Sequence, residues 1–200
     1  MGGGKAITRL LFAGLMTSWL SACGSPKPVA LSLDPAGSKL PPRGYVVFCR
    51  EHALSCKTGA EQTIIFTRQR WAQLVAVNAL FNATILPETD EEHLHVLDHW
   101  DIPDGVGDCE DYVLAKRARL VALGFPRTAL LIGVVDIPHA PVLRRRHAVL
   151  LAVTDLGNYV LDNRVEDIKR WTETDYIWVA VESTSHPGSW QAVKRKVASR

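Results

Sequence analysis

The order of the apolar patterns limits what this chain can fold into, because two helix-like segments come before four strand-like runs. Apolar residues recur at three- and four-residue spacing over about 67 to 83, and a second helical segment runs from about Cys109 to Leu123. Short apolar runs follow at 129–135, 147–153, 158–162 and 176–181. Helices that precede strands instead of alternating with them favour an antiparallel sheet. The sequence therefore predicts an α+β fold with N-terminal helices and an antiparallel sheet.

Cap and turn residues set the expected ends of these elements. Thr67 is the expected N-cap of the first helix, and Gly124 is the expected C-cap of the second. Asp155-Leu156-Gly157 predicts a hairpin turn between the second and third strands. Asn78 interrupts the apolar stripe of the first helix, and its side chain either ties down a loop or points toward a site.

The second helix is expected to divide into a core face and a solvated face. Its apolar positions are predicted to face the core, and they are Val113, Leu114, Ala118 and Val121. Its basic run is predicted to face solvent, and it consists of Lys116, Arg117 and Arg119.

The first 23 residues have the three parts of an export signal. Lys5 and Arg9 precede an apolar stretch from Leu10 to Leu20, and small residues follow. The ending Leu20-Ser21-Ala22-Cys23 resembles the bacterial lipobox, which predicts a signal peptide at 1–22 and lipidation of Cys23. Simple secretion with cleavage after Ala22 is the alternative. Gly24 follows the cysteine, so we expect a periplasmic protein anchored by lipid to the outer membrane.

Charge and proline content indicate how the rest of the chain is organised. Lys plus Arg is 23 and Asp plus Glu is 21, a net charge of +2, so the basic excess typical of a nucleic-acid-binding protein is absent from the sequence. Prolines cluster between Ser25 and Gly44, which predicts a tether at 23–44. We expect one folded domain at 45–190 and a basic tail at 191–200.

The four cysteines are expected to have different roles. If Cys23 carries lipid, three remain in an oxidising compartment. Cys49 and Cys56 are close enough in sequence to staple a short loop, although two separate thiols are the alternative. Cys109 is then unpaired, and because a free thiol is a liability outside the cytoplasm, it needs an explanation other than packing.

Cys109 is predicted to lie in the first turn of the second helix, after the glycine-rich segment 105–108. Unpaired N–H groups and the positive end of the helix dipole favour a thiolate there. In the predicted hairpin, either Asp162 lies opposite Val149 and diagonal to His147, or a two-residue shift puts it opposite His147. Both registers place the two side chains on one face of the sheet, whereas a one-residue slip separates them.

These three residues together predict a Cys-His-Asp relay. His147 would take the thiol proton and later protonate the leaving amine, while Asp162 would fix the imidazole tautomer. Each residue also has a plain structural interpretation: an inert buried thiol, a polar residue at a strand start, and a turn residue. All three residues are predicted at the ends of helices or strands, and this coincidence favours the catalytic interpretation.

The motifs at these positions resemble a known family. The segments Gly107-Asp108-Cys109-Glu110-Asp111-Tyr112, Arg146-His147-Ala148-Val149-Leu150 and Val160-Leu161-Asp162-Asn163 are similar to those of the bacterial transglutaminase-like cysteine proteinases, over about residues 45 to 190. The resemblance implies a papain/transglutaminase-like core and a triad of Cys109, His147 and Asp162. It also implies a periplasmic, calcium-dependent protease of the kind that cleaves surface adhesins and releases biofilms, in some relatives controlled by an inner-membrane receptor.

Calcium is expected for a physical reason as well. In the relatives, acidic residues beside the cysteine are linked to calcium, and Asp108 and Glu110 match them. Asp108, Glu110 and Asp111 would oppose a Cys109 thiolate by like-charge repulsion, which a bound divalent cation would remove. The alternative is that these acids only cap the helix.

The sequence thus predicts a cysteine peptidase that acts on a periplasmic or cell-surface protein. Two alternatives stay open at this point: acyl transfer to an amine, and an inactive, calcium-responsive binding lipoprotein.

Overall fold

The computed structural model describes residues 1–2, 33–183 and 190–193. Its four helices are α1 (Arg43–Glu51), α2 (Arg68–Thr84), α3 (Asp90–His93) and α4 (Cys109–Ala122). Its strands are β1 (Leu33–Lys39), β2 (Leu86–Pro87), β3 (Val106–Gly107), β4 (Leu130–Asp136), β5 (Arg146–Thr154), β6 (Gly157–Leu161), β7 (Lys169–Arg170), β8 (Ile177–Glu182) and β9 (Trp190–Val193). None of the helices in these ranges has the length and hydropathy that a bilayer span requires.

Seven strands form one sheet in the order β1-β9-β8-β4-β5-β6-β7, and each adjacent pair is antiparallel. The α+β fold with N-terminal helices and an antiparallel sheet is therefore confirmed. The segment between α2 and α4 was predicted only as polar and turn-rich, but it contains a small parallel pair of β2 and β3 and the one-turn helix α3.

The sheet extends beyond both ends of the predicted domain. Strand β1 lies inside the segment predicted as a tether, and it pairs with β9, which extends past the predicted domain end into the predicted tail. Pairing between distant segments needs no local periodicity, so proline content alone gave no sign of β1. Residues 3–32 lie outside the described residues, and they include Cys23 and most of the predicted signal peptide. Residues 194–200 of the predicted tail also lie outside them.

Local chemistry explains where α2 begins and how it is held. The Thr67 hydroxyl accepts a hydrogen bond from the Arg70 backbone N–H at 3.1 Å, as an N-cap does. Asn78 is buried, and its side-chain amide donates to the Glu166 carbonyl at 3.0 Å. The polar interruption of the apolar stripe therefore ties down the loop that follows β6.

The helices cover one face of the sheet, where Leu74 of α2 and Leu114 of α4 join a core that includes Leu150 of β5. A second core on the other face contains Val149, Trp171 and Trp178 among its members. The sheet is thus buried on both sides, and the strand ends that carry His147 and Asp162 lie between two packed layers.

The predicted faces of α4 were partly wrong. Val113 and Leu114 are buried as expected, but Ala118 and Val121 are exposed. Among the basic residues, Arg119 is exposed, whereas Lys116 is only 1% exposed and Arg117 only 2%. A buried guanidinium requires a partner, and the sequence run alone did not reveal the partner of Arg117.

Glu182 of β8 is the partner that holds Arg117 inside the fold. The Arg117 guanidinium donates to Glu182 at 3.0 Å, and Arg127 donates to the other carboxylate oxygen at 2.6 Å. The Tyr45 hydroxyl and the Ile132 backbone N–H also donate to this carboxylate. Burial alone would raise the pKa of Glu182, but the two guanidinium groups hold the pKa below its ordinary value.

Glu182→Gln is expected to lower the free energy of unfolding by about 3–5 kcal/mol, because it leaves the buried Arg117 charge uncompensated. Urea or thermal unfolding measures this loss, with the exposed Glu51→Gln as the charge-matched control. Since the folded-state pKa is lowered, the stabilisation is present above the ordinary pKa of about 4.3 and is lost as the pH falls through the folded-state value. A loss similar to that of Glu51→Gln would contradict this role.

Candidate active site

A glycine-rich loop delivers Cys109 to the start of α4. Gly105 adopts a φ of +86°, a left-handed conformation that favours glycine, and its carbonyl accepts from the Leu86 backbone N–H at 2.8 Å. At Gly107, an added Cβ would lie 2.7 Å from Asp111 Oδ2, so a larger residue would collide with that carboxylate. The loop therefore needs glycine at both positions to bring Cys109 to the helix terminus.

Cys109 carries the one free thiol within the described residues. The Cys109 thiol donates a hydrogen bond to Glu110 Oε2 at 2.9 Å, and the Ala148 backbone N–H donates to the sulfur at 3.4 Å. Ala148 follows His147 directly in β5, so the strand that carries the histidine contacts the nucleophile candidate.

The pKa of Cys109 is raised well above its ordinary value. Burial is the main cause, and the negative charges of Glu110 and Asp108 add to it, while the Ala148 N–H has the opposite effect. We expected the helix terminus to favour the thiolate, but burial and the adjacent acids outweigh it here. With these carboxylates uncompensated, the thiol is the stable form.

His147 and Asp162 meet as the hairpin register predicts. Val153 pairs with Asn158 and Leu150 with Leu161, which confirms the first of the two registers considered. His147 Nε2 lies 2.8 Å from Asp162 Oδ1, and each side chain is only 4% exposed. Because a carboxylate accepts, Nε2 carries the hydrogen and Nδ1 keeps its lone pair.

The Asp162 carboxylate is held ionised by its neighbours. Burial alone would raise its pKa, but the hydrogen bonds that it accepts from His147, from the Tyr176 hydroxyl and from the Arg164 backbone N–H together lower it. The Arg164 N–H donates to Oδ1 at 3.0 Å. A residue of α2 fixes the main chain, since the Asn82 amide donates to the Asp162 carbonyl at 2.9 Å.

Cys109 and His147 line the same cleft, an open space of about 1560 Å³. Part of the cleft is lined by small and apolar side chains, those of Ala148, Ala180 and Trp190. Another part is lined by Arg144 and Arg146. Arg146 and Arg145 pair with Asp136 at 3.1 and 3.6 Å, so the basic loop before His147 is anchored to the end of β4.

Trp100 also lines this cleft. Its indole N–H donates to Asp98 Oδ1 at 2.9 Å, and its side chain is 5% exposed within the core. Core packing is therefore its observed role.

Carboxylates gather beside the sulfur in two overlapping groups. Ligand atoms of Asp108, Cys109 and Glu110 lie within 4.8 Å of one another, and so do those of Asp90, Asp108 and Asp111. Burial is the largest cause that raises the pKa of Asp108, and the negative charge of Glu110 adds to it. Burial also raises the pKa of Asp111 to about 7. In the part of the chain that the structure describes, Asp108 Oδ1 is buried without a hydrogen-bond partner.

This oxygen-rich set fits a hard divalent cation, which takes six to eight oxygen ligands. The sequence did not indicate Asp90, because it lies 18 residues before Asp108. It belongs to a short helix whose first turn has an ordinary capping box. Only the parallel pairing of β2 with β3 brings that helix beside α4.

The other predicted site residues are cysteines. Cys49 and Cys56 form a disulfide, with 5.5 Å between their Cα atoms. Cys23 lies outside the described residues. Tyr176 and Asn82 contact Asp162 without having been singled out from the sequence.

Comparison with known proteins identifies the family. The sequence model of the bacterial transglutaminase-like cysteine proteinases matches residues 36–198. The chain belongs to this family. It is therefore a transglutaminase-like cysteine peptidase, a hydrolase, and its catalytic class requires a nucleophilic cysteine.

Solved structures agree with this assignment. LapG from Legionella pneumophila is 30% identical over 62% of this chain and 69% of its own, with a TM-score of 0.50. The EGTA-treated form of that protein is 28% identical over 64% and 72% of the two chains, also with a TM-score of 0.50. The calcium-bound form is 24% identical over 76% and 92%, with a TM-score of 0.50, and supports the fold alone. No curated protein was found to match the chain.

Proposed function

We propose that this peptidase cleaves a periplasmic or cell-surface protein through a Cys109–His147–Asp162 triad that depends on calcium. The observation that carries the proposal is the 2.8 Å contact between His147 Nε2 and Asp162 Oδ1. The residue after His147 in the same strand, Ala148, donates its backbone N–H to the Cys109 sulfur at 3.4 Å. A carboxylate-oriented imidazole next to a helix-terminal thiol is the arrangement that nucleophilic acyl cleavage requires.

The reaction follows from the proton positions. His147 Nδ1 takes the Cys109 proton, and the sulfur attacks the substrate carbonyl carbon to form a tetrahedral intermediate. The Cys109 backbone N–H, one of the orphan donors of the first helical turn, stabilises the oxyanion. The imidazolium then protonates the leaving amine, and the carbon–nitrogen bond breaks to leave a thioester. Water attacks the thioester with His147 as base, which releases the acid product and restores the thiol.

Asp108, Glu110 and Asp111 are the proposed calcium ligands, and Asp90 supplies a fourth carboxylate in the same region. A bound Ca²⁺ would compensate the negative charge that now raises the pKa of the neighbouring thiol. The chain's own part in this is to supply carboxylate oxygens, among them the partnerless Asp108 Oδ1. LapG has been solved in a calcium-bound and an EGTA-treated form, which supports testing this chain for a calcium site.

Comparing the envelope proteins of wild-type cells with those of a Cys109→Ala strain tests the cleavage. We expect one polypeptide to be shortened in wild type and intact in the variant, and a His147→Ala strain to match Cys109→Ala. Identical envelope proteins in all three strains would contradict the proposal. Adding a primary amine to the purified enzyme then separates hydrolysis from acyl transfer, because a transferase would attach the amine to the acyl product.

We also propose that the enzyme is held at the periplasmic face of the outer membrane by lipid on Cys23. The lipobox-like segment Leu20-Ser21-Ala22-Cys23 supports this location. Growth with labelled palmitate is expected to label the wild-type protein and not Cys23→Ala. Label in both, or in neither, would contradict the anchor.

A further inference from the structure

Tyr176 makes a contact with the proposed triad that the mechanism has not used. It precedes β8, and its hydroxyl donates a hydrogen bond to Asp162 Oδ2. Its ring centroid lies 5.8 Å from that of His147, with an angle of 59° between the ring planes. Its ring also packs against the second core. One side chain thus contacts both the acid and the base of the proposed relay.

The two oxygens of Asp162 have different partners. Oδ1 accepts from His147 Nε2 and from the Arg164 backbone N–H, at 2.8 and 3.0 Å. Oδ2 accepts from Tyr176. Rotation of an aspartate carboxylate about its last bond is soft, so bonds to a single oxygen leave its plane poorly fixed. A donor on the second oxygen fixes the plane and therefore the direction in which Oδ1 meets the imidazole.

The topology explains how a residue so far along the chain reaches the triad. Strand β4 lies between β5 and β8, and Val135 of β4 pairs with His147 on one side and with Trp178 on the other. The residues just before Trp178 therefore come past the end of β4 toward the start of β5. The hydroxyl of Tyr176 is raised in pKa, first by burial and then by its bond to Asp162, so it remains a donor at neutral pH.

The geometry points to Tyr176 as a positioning residue, which acts through Asp162 to hold the His147 imidazole in line with Cys109. This inference rests on the proposed function, because a positioning role requires that the triad be the catalytic group.

Tyr176→Phe in the full-length, calcium-loaded enzyme tests the inference, because phenylalanine keeps the ring and removes only the hydroxyl. We expect kcat for cleavage of a peptide substrate to fall about tenfold, and KM to stay within about twofold. Tyr159→Phe is the matched control, since Tyr159 is a buried tyrosine of β6 whose ring packs on Trp71, away from the triad. It is expected to keep wild-type kcat.

A double-mutant cycle with Asp162→Ala shows whether Tyr176 acts through Asp162. We expect Tyr176→Phe to cause no further loss in the Asp162→Ala background. The inference would be overturned if Tyr176→Phe left kcat unchanged. It would also be overturned if Tyr176→Phe caused the same tenfold loss in the wild-type and Asp162→Ala proteins, and in both cases the proposed triad would stand. Full cleavage by Cys109→Ala would instead overturn the proposed function itself, so the two failures can be told apart.

Discussion

Cys109→Ser is expected to lower kcat/KM for peptide cleavage by roughly 10⁴-fold or more, because a serine hydroxyl ionises far less readily than a thiol and is a much poorer nucleophile at this position. The change is small in volume, and the sulfur only packs at the edge of the core, so we expect the melting temperature to change by less than about 5 °C. Steady-state kinetics and a thermal melt on the same preparation measure the two quantities.

His147→Ala is expected to give a loss of similar size, since residues that act as a unit are not additive. The double variant should therefore be no less active than either single variant. If the two losses multiplied, or if Cys109→Ser kept more than about a tenth of the wild-type rate, the residues would not form one catalytic unit.

Removal of calcium is expected to produce the second large effect. In the structure the Cys109 thiol donates to Glu110, and burial together with Glu110 and Asp108 raises the pKa of Cys109. Each unit of pKa above the working pH lowers the thiolate fraction tenfold. Chelation should therefore lower the rate of alkylation of Cys109 by iodoacetamide at least about tenfold at neutral pH, and peptide cleavage with it.

Charge-neutral variants separate metal binding from simple repulsion. Asp108→Asn removes a carboxyl that can ionise beside the sulfur, so a purely repulsive role predicts alkylation without calcium at least as fast as in wild type, and normal cleavage. A ligand role predicts weaker calcium binding by calorimetry and a loss of cleavage that excess calcium partly restores. The exposed Glu91→Gln, which lies outside the two carboxylate groups, is the control and should bind calcium as wild type does. Full turnover by chelated, metal-free enzyme would contradict calcium dependence.

The shared face of His147 and Asp162 could be predicted because a local turn limits the hairpin to the two registers that place them together. Asp155-Leu156-Gly157 closes the hairpin with Gly157 at a φ of +129°, and once Val153 faces Asn158 the positions of His147 and Asp162 follow. Likewise, Thr67 and the apolar spacing that follows it were sufficient to locate α2 to within one residue at each end.

Features that depend on distant pairing could not be predicted in this way. The partners of Glu182, Tyr176 and Asp90 are set by strand order, and no periodic signal in the sequence marks them. The basic run of α4 is an example, because Arg117 resembles a surface residue until β8 brings Glu182 beside it. The same limitation hid the pairing of β1 with β9.

The raised pKa of Cys109 was the main physical surprise at the site. A helix terminus favours an anion by a modest amount, about 0.3–1 kcal/mol at exposed positions. Burial and two adjacent carboxylates act on the same sulfur in the opposite direction, and here they dominate. Compensation of those carboxylates is therefore as important to the proposed mechanism as the triad.

Intact-mass analysis of the calcium-loaded enzyme after reaction with an electrophilic peptide tests the central claim most directly. We expect one adduct per chain, located at Cys109 by fragmentation, and at least about 100-fold slower adduct formation in His147→Ala. Equal labelling rates in the two proteins would mean that the imidazole does not activate the sulfur, and the triad would have to be abandoned.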